Sequence, residues 1–159
     1  MILVLGIGVV VTAGLVAAYV QFLTFKRGVH YPVTVTVDGD TFTIQMHYRS
    51  KLPRWLKVRG FAMGGHAWMY WPLDQVSRED VAHEVLHLMR EHVVGWFRYR
   101  LEATWEWVAQ RVWRRRSTEE EARRAQRALA QTGGSAVEVM IAGQMRTVSA
   151  PFLATIARP

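Results

Sequence analysis

Residues 2–24 carry no charged side chain, and this run constrains the chain more than any other feature. An apolar stretch of about 20 residues can cross a bilayer as a helix, which satisfies its backbone polar groups internally. Tyr19 and Phe22 lie toward the C-terminal end of the run, suited to the membrane interface. A cleaved secretory signal wants a basic n-region and a shorter apolar core. No basic side chain precedes this run, so residues 1–25 read as a retained, single-pass transmembrane anchor. Lys26 and Arg27 follow at once, and the positive-inside tendency then puts the rest of the chain in the cytoplasm. Residues 30–159 are sized for one small domain.

The composition is globular, with 50% hydrophobic and 21% charged residues. There are no cysteines, so disulfides are excluded and any metal must be held by His and carboxylates. The formal charge is +7, and much of it is local, in Arg114-Arg115-Arg116 and in Arg123, Arg124 and Arg127. Neither zinc-finger cysteines nor an RNP-like run accompanies it. The basic surface is therefore expected to face solvent or a membrane rather than nucleic acid.

After the anchor, Val33–Val37 and Thr41–Met46 alternate β-branched and polar residues around Asp38-Gly39-Asp40, which predicts a β-hairpin. Lys51-Leu-Pro-Arg54 is a break. Residues 58–63 and 66–71 read as a strand or bent pair, with Gly60, Gly64 and Gly65 marking a turn, a bulge or a close backbone approach. Ser77-Arg-Glu-Asp80 is a helix cap, and the apolar stripe of Val81, Val85 and Leu88 predicts a helix from Arg78 to His92. Gly95 allows a break. A second helix is predicted from Phe97 to Arg116, with Leu101, Trp105, Val108 and Val112 near helical spacing. Ser117-Thr-Glu-Glu120 caps a third, Arg-rich helix to Gln131, and residues 136–148 read as a second hairpin. The order predicts an α+β fold.

On the first of these helices stands His83-Glu84-Val85-Leu86-His87, an H-E-x-x-H run. Imidazoles four residues apart lie one above the other on a helix face and can reach one metal ion. Glu84 can aim its carboxylate at a water on that metal, the core of a zinc hydrolase. A catalytic zinc site wants a third protein ligand and one open position. His92 is about 140° around the helix from His87 and faces away. The metzincin pattern needs Gly at Arg90 and His at Val93, so it is excluded. Glu102, beyond the Gly95 break, can be brought beside the His pair if the second helix returns across the first. Glu106 lies one turn further on the same face. One carboxylate can then bind metal while the other accepts a hydrogen bond from a ligand His.

H-E-x-x-H followed by a helix with Leu101-Glu102-Ala103-Thr104-Trp105-Glu106 resembles the gluzincin metallopeptidases, especially the compact minigluzincins. The resemblance covers residues 58–110. It implies a small β-sheet, an H-E-x-x-H helix and a second helix bearing the third ligand. It further implies a Zn2+ cofactor held by His83, His87 and Glu102, with Glu84 as general base. Glu106 is then the brace for a ligand His or, since the spacing from His87 is shorter than in larger gluzincins, the alternative ligand. The same resemblance implies a substrate-binding edge strand before the motif helix, here Ala62, Met63, Gly64, Gly65, His66 and Ala67, pairing with an extended peptide or protein substrate. His66, Tyr70 and His92 are the candidates for stabilising the transition state. The function so implied is peptide-bond hydrolysis by a membrane-anchored zinc enzyme. The alternative is a non-catalytic protein that binds a peptide or partner on the same scaffold.

Overall fold

The computed structural model describes residues 30–50, 53, 58–102, 105 and 117–157. The apolar run at 2–24 lies outside these residues, as do Glu106 and most of the predicted second helix after Glu102. Among the described residues no helix is long and apolar enough to cross a membrane.

The fold is α+β, as the alternating and helical periods predict. Its strands are β1 (His30–Val37), β2 (Asp40–His47), β3 (Gly60–Met63), β4 (His66–Met69), β5 (Val137–Ile141) and β6 (Gln144–Ser149). They form one six-stranded sheet in the order β3-β4-β2-β1-β6-β5. The sequence suggests two separate hairpins. Instead β6 pairs antiparallel with β1, through Thr36↔Ser149 and Val37↔Val148, and joins them into one sheet. The carboxylate of the turn residue Asp38 secures the junction, accepting from the Thr147 N–H at 2.9 Å and from Arg146 at 2.7 Å. β2 and β4 pair in parallel, so the chain crosses over between them and leaves β3 at the sheet edge.

Strand alternation sends Val35, Val37, Ile44, Met46, Ala67, Met69, Val139 and Val148 to one face, where they form the core. Helix α1 (Arg78–Val94) lies at the centre of that core through Val81, Val85, Leu88 and Met89. Helix α2 (Ser117–Gln131) packs beside it with a buried face of Ala122, Ala125, Leu129 and Ala130. Its small side chains allow a close approach to α1. A 3-10 turn, Pro151–Thr155, closes the chain against α1 and β1. The Arg78 guanidinium ties these pieces, donating to Leu153 O and Ile156 O at 3.0 Å and to Ala130 O at 3.4 Å.

Candidate functional site

Helix α1 starts as its sequence dictates. The Ser77 hydroxyl accepts from the Asp80 N–H at 3.1 Å, and Glu79 and Asp80 complement the positive end of the helix. It ends at Gly95, whose φ of 85° suits glycine and whose N–H donates to Glu91 O at 3.0 Å. Between these ends, His83 and His87 meet edge-to-face one turn apart, with ring centroids 4.7 Å apart and planes at 90°.

Their Nε2 atoms face each other at 3.2 Å. Each Nδ1 is held by a neighbour: Gln126 Oε1 of α2 lies 2.8 Å from His83 Nδ1, and the Tyr99 hydroxyl lies 3.1 Å from His87 Nδ1. These contacts define one direction of donation. His83 Nδ1–H donates to Gln126, His87 Nε2–H donates to His83 Nε2, and Tyr99 O–H donates to His87 Nδ1. Burial pushes the Tyr99 phenol well above its ordinary value, with Glu91 and Glu84 adding and Arg100 and Arg90 opposing, so it remains a protonated donor.

The spacing also suits a metal. Two nitrogens bound to one tetrahedral zinc at about 2.0–2.1 Å stand about 3.3 Å apart, close to the separation found. Ligand imidazoles characteristically donate from the second ring nitrogen. Gln126 Oε1 is placed to accept from His83 Nδ1–H, and with metal on Nε2 the Tyr99 hydroxyl oxygen would accept from His87 Nδ1–H, the reverse of its direction in the metal-free pair. The two-imidazole half of a zinc site therefore fits the residues present.

Glu84 is buried and points toward the sheet edge. A Cβ at Gly60 would lie 2.6 Å from its Oε1, 2.7 Å from its Cγ and 2.8 Å from its Cδ. The bare glycine backbone is what admits the carboxylate, the close approach that the sequence offered as one reading. Two turns on, Glu91 reaches the other end of β3, and its two oxygens accept from the Gly64 N–H at 3.0 and 3.2 Å. Seven helical residues rise about 10 Å and four strand residues about 13 Å. Edge strand β3 thus lies along α1, met by a glutamate at each end.

The stretch 58–71 is the bent pair that the sequence offered beside a single strand, so the proposed substrate segment spans two strands and a turn. Ala62 and Met63 belong to β3, Gly64 and Gly65 form the turn with φ of 59° and 79°, and His66 and Ala67 start β4. β4 is flanked by β3 and β2, so its backbone is engaged on both sides. Among the described residues the sheet ends on this side at β3. Tyr70 N donates to Arg59 O, so the antiparallel alternation turns the N–H and C=O of Gly60 and Ala62 outward.

The three candidate stabilisers lie apart from one another. His66 sits on the sheet face opposite Ala67 and Met69, with its Nδ1 2.9 Å from His47 Nε2. Both rings stack on Trp68, at 5.5 and 5.2 Å. Tyr70 follows β4 and packs edge-on against Trp71 at 4.6 Å. His92 is exposed and stacks on Phe42 at 4.1 Å.

Glu102 differs from its expected place. It accepts from Arg98 at 2.9 Å and from Arg90 at 3.2 Å. Burial acts to raise its carboxyl, but the hydrogen bonds and charges of Arg98 and Arg90 outweigh that and hold it below the usual value. Among the described residues no three His, Cys, Asp or Glu side chains gather to hold a metal. The reason lies in the path after Gly95. Residues 96–102 are helical, and Tyr99 meets His87 while Glu102 meets Arg90, about one turn further along α1. Tyr99 occupies the place beside the His pair that the sequence assigned to Glu102.

The sequence reading missed Tyr99, Gln126 and Glu91. Gln126 stands 43 positions from His83, and no local pattern marks it. Glu91 was legible in principle, because it lies seven residues after Glu84 and so on the same helix face. Comparison with known family models, with curated proteins and with solved structures finds no match.

Proposed function

We propose that the chain is a membrane-anchored, zinc-dependent peptidase, held in the bilayer by residues 2–24 with its domain on the cytoplasmic side. The observation that carries this reading is the His83–His87 pair, with its Nε2 atoms 3.2 Å apart and each Nδ1 held by a neighbour. His83 and His87 would hold the ion. The sequence offers Glu102, or Glu106 as its alternative, as the third ligand, and Glu102 would have to leave Arg90 and Arg98 to bind the ion.

Zinc in such a site supplies a Lewis acid that polarises the scissile carbonyl and makes a water acidic near neutral pH. The rest falls to this chain's residues. An extended peptide adds to the edge of β3 by pairing with Gly60 and Ala62, which brings its backbone past Glu84. Glu84 takes a proton from the attacking water as the water oxygen bonds to the carbonyl carbon. It then delivers that proton to the departing amine as the C–N bond breaks. Gln126 and Tyr99 fix the imidazole rings throughout. The product is two peptides, with no covalent enzyme intermediate.

The pairing of Glu102 with Arg90 and Arg98 favours a second reading, a non-catalytic protein that binds a peptide or partner on the same scaffold. One experiment separates the two. Elemental analysis of the purified full chain should find one zinc per chain, lost in His83→Ala. Glu84→Gln should keep the zinc and cleave no member of a peptide library that the parent cleaves. Zinc without hydrolysis in the parent selects the second reading, and absence of bound metal from the parent overturns the first.

A further inference from the structure

The helical segment that braces His87 leaves a large apolar surface outside. Trp96, Phe97, Leu101 and Trp105 are 57%, 69%, 58% and 65% exposed, the four most exposed hydrophobic residues of the stretch. Phe97, Leu101 and Trp105 recur every fourth residue and so share one face of a helix. Arg98 borders this stripe on one side and is largely exposed. Arg100, on the other side, turns its guanidinium inward to Glu91 at 3.5 Å. Tyr99, which touches His87, and Glu102, which is held by Arg90, lie on the inner face.

A stripe of Phe, Leu and Trp bordered by the exposed Arg98 is the pattern of a helix lying in a membrane interface. There the aromatic rings sit at headgroup depth and the guanidiniums reach lipid phosphates. The sequence continues the pattern with Val108 and Val112 at near-helical spacing, followed by Arg114-Arg115-Arg116. The net charge of +7 is complementary to an anionic leaflet. Only residues 25–29 separate the apolar run at 2–24 from β1. At no more than about 3.5 Å per residue, they hold the start of β1 within about 20 Å of the end of that run.

We infer that Trp96, Phe97, Leu101 and Trp105 form a membrane contact seated in the interface of an anionic bilayer, second to the proposed anchor at residues 2–24, on which its being a second contact rests. It is independent of whether the His pair holds metal. Its consequence for the site is mechanical. Lipid on the outer face holds in place the segment whose inner face presents Tyr99 to His87.

The chain has no cysteine, so Leu101→Cys and, on a control surface of α2, Arg127→Cys each carry a single labelling site. The full-length variants would carry an environment-sensitive fluorophore in vesicles of phosphatidylcholine, with and without phosphatidylglycerol. At position 101 the emission should shift to the blue, iodide quenching should fall severalfold relative to position 127, and brominated lipid chains should quench the label. The effect should be larger with phosphatidylglycerol, and Arg98→Glu should weaken that dependence. Phe97→Cys reads the same face if Leu101→Cys folds poorly. Labels at 97 and 101 as open to iodide as that at 127 would overturn the inference. So would shielding without quenching by brominated lipid, which would mark a protein cover instead.

Discussion

Gly60 shows how one missing methyl group can shape a site. Its bare backbone admits Glu84, and an added Cβ would fall within 2.8 Å of three Glu84 side-chain atoms. Gly60→Ala must push a buried carboxylate aside, an overpacking change that costs about 1–3 kcal/mol. Urea denaturation should read that loss, and peptide hydrolysis should fall by a larger factor, because the displaced group is the proposed base. Equal losses in folded fraction and turnover would remove the special role of Glu84. Gln126 makes a parallel case. Gln126→Ala deletes the partner of His83 Nδ1, which should cost about 1 kcal/mol of stability. It should also weaken zinc binding about 10–100-fold in competition with a chromophoric chelator. An unchanged affinity would reduce Gln126 to packing. His83, Glu84 and His87 were legible because their spacing matches one helical turn. Gln126 was not, because it comes into place only when an alanine-rich face brings α2 against α1.

At the scale of elements, Arg90 joins three helical pieces. Its guanidinium meets Glu121 of α2 at 2.7 Å and Glu102 of the 96–102 segment at 3.2 Å, with its own side chain 14% exposed. Glu121 in turn accepts from the Gly143 N–H of the β5–β6 turn at 3.3 Å. Arg90→Leu leaves Glu102 with Arg98 and Glu121 with the Gly143 N–H but removes the charge that links them, and should destabilise by about 1–2 kcal/mol. This pairing also sets where Glu102, the third ligand expected from the sequence, lies. Spacing put Glu102 beyond a break and facing back, but it carried no information on the angle at which the chain leaves Gly95. Arginine capture at Arg90 and Arg98 records that angle. The link has a pH signature. A carboxyl held low in the folded state contributes stability above its ordinary value, and that stability is lost as pH falls through the lower, folded value. Glu102 is such a group, so Glu102→Gln should flatten the acid limb of the urea midpoint followed from about pH 6 to about pH 3. An acid limb that matches the parent would show that its arginine pairs contribute nothing in solution.

For the whole molecule, the strands and the helices Arg78–Val94 and Ser117–Gln131 were legible from period and turn residues, and the single sheet was not. The pairing of β1 with β6 joins the two ends of the domain, and nothing in either strand names the other. That closure places α1 at the centre, its first turn tied by Arg78 to α2 and the 3-10 turn and its last turns tied by Glu91 to β3. The His pair sits midway along this helix, so an ion bound there is linked to the folding of the entire domain. A ligand that binds only the folded state stabilises it by about 2.7 kcal/mol at a hundredfold excess over its dissociation constant. In a domain of this size that raises the melting temperature by about 5–10 °C. Thermal melts with and without excess zinc should show that rise in the parent and in Glu84→Gln, whose two imidazoles are intact, and no rise in His83→Ala or His87→Ala. Zinc would stabilise the parent and both His variants equally only if it bound elsewhere on the fold, and that result would take the metal away from α1.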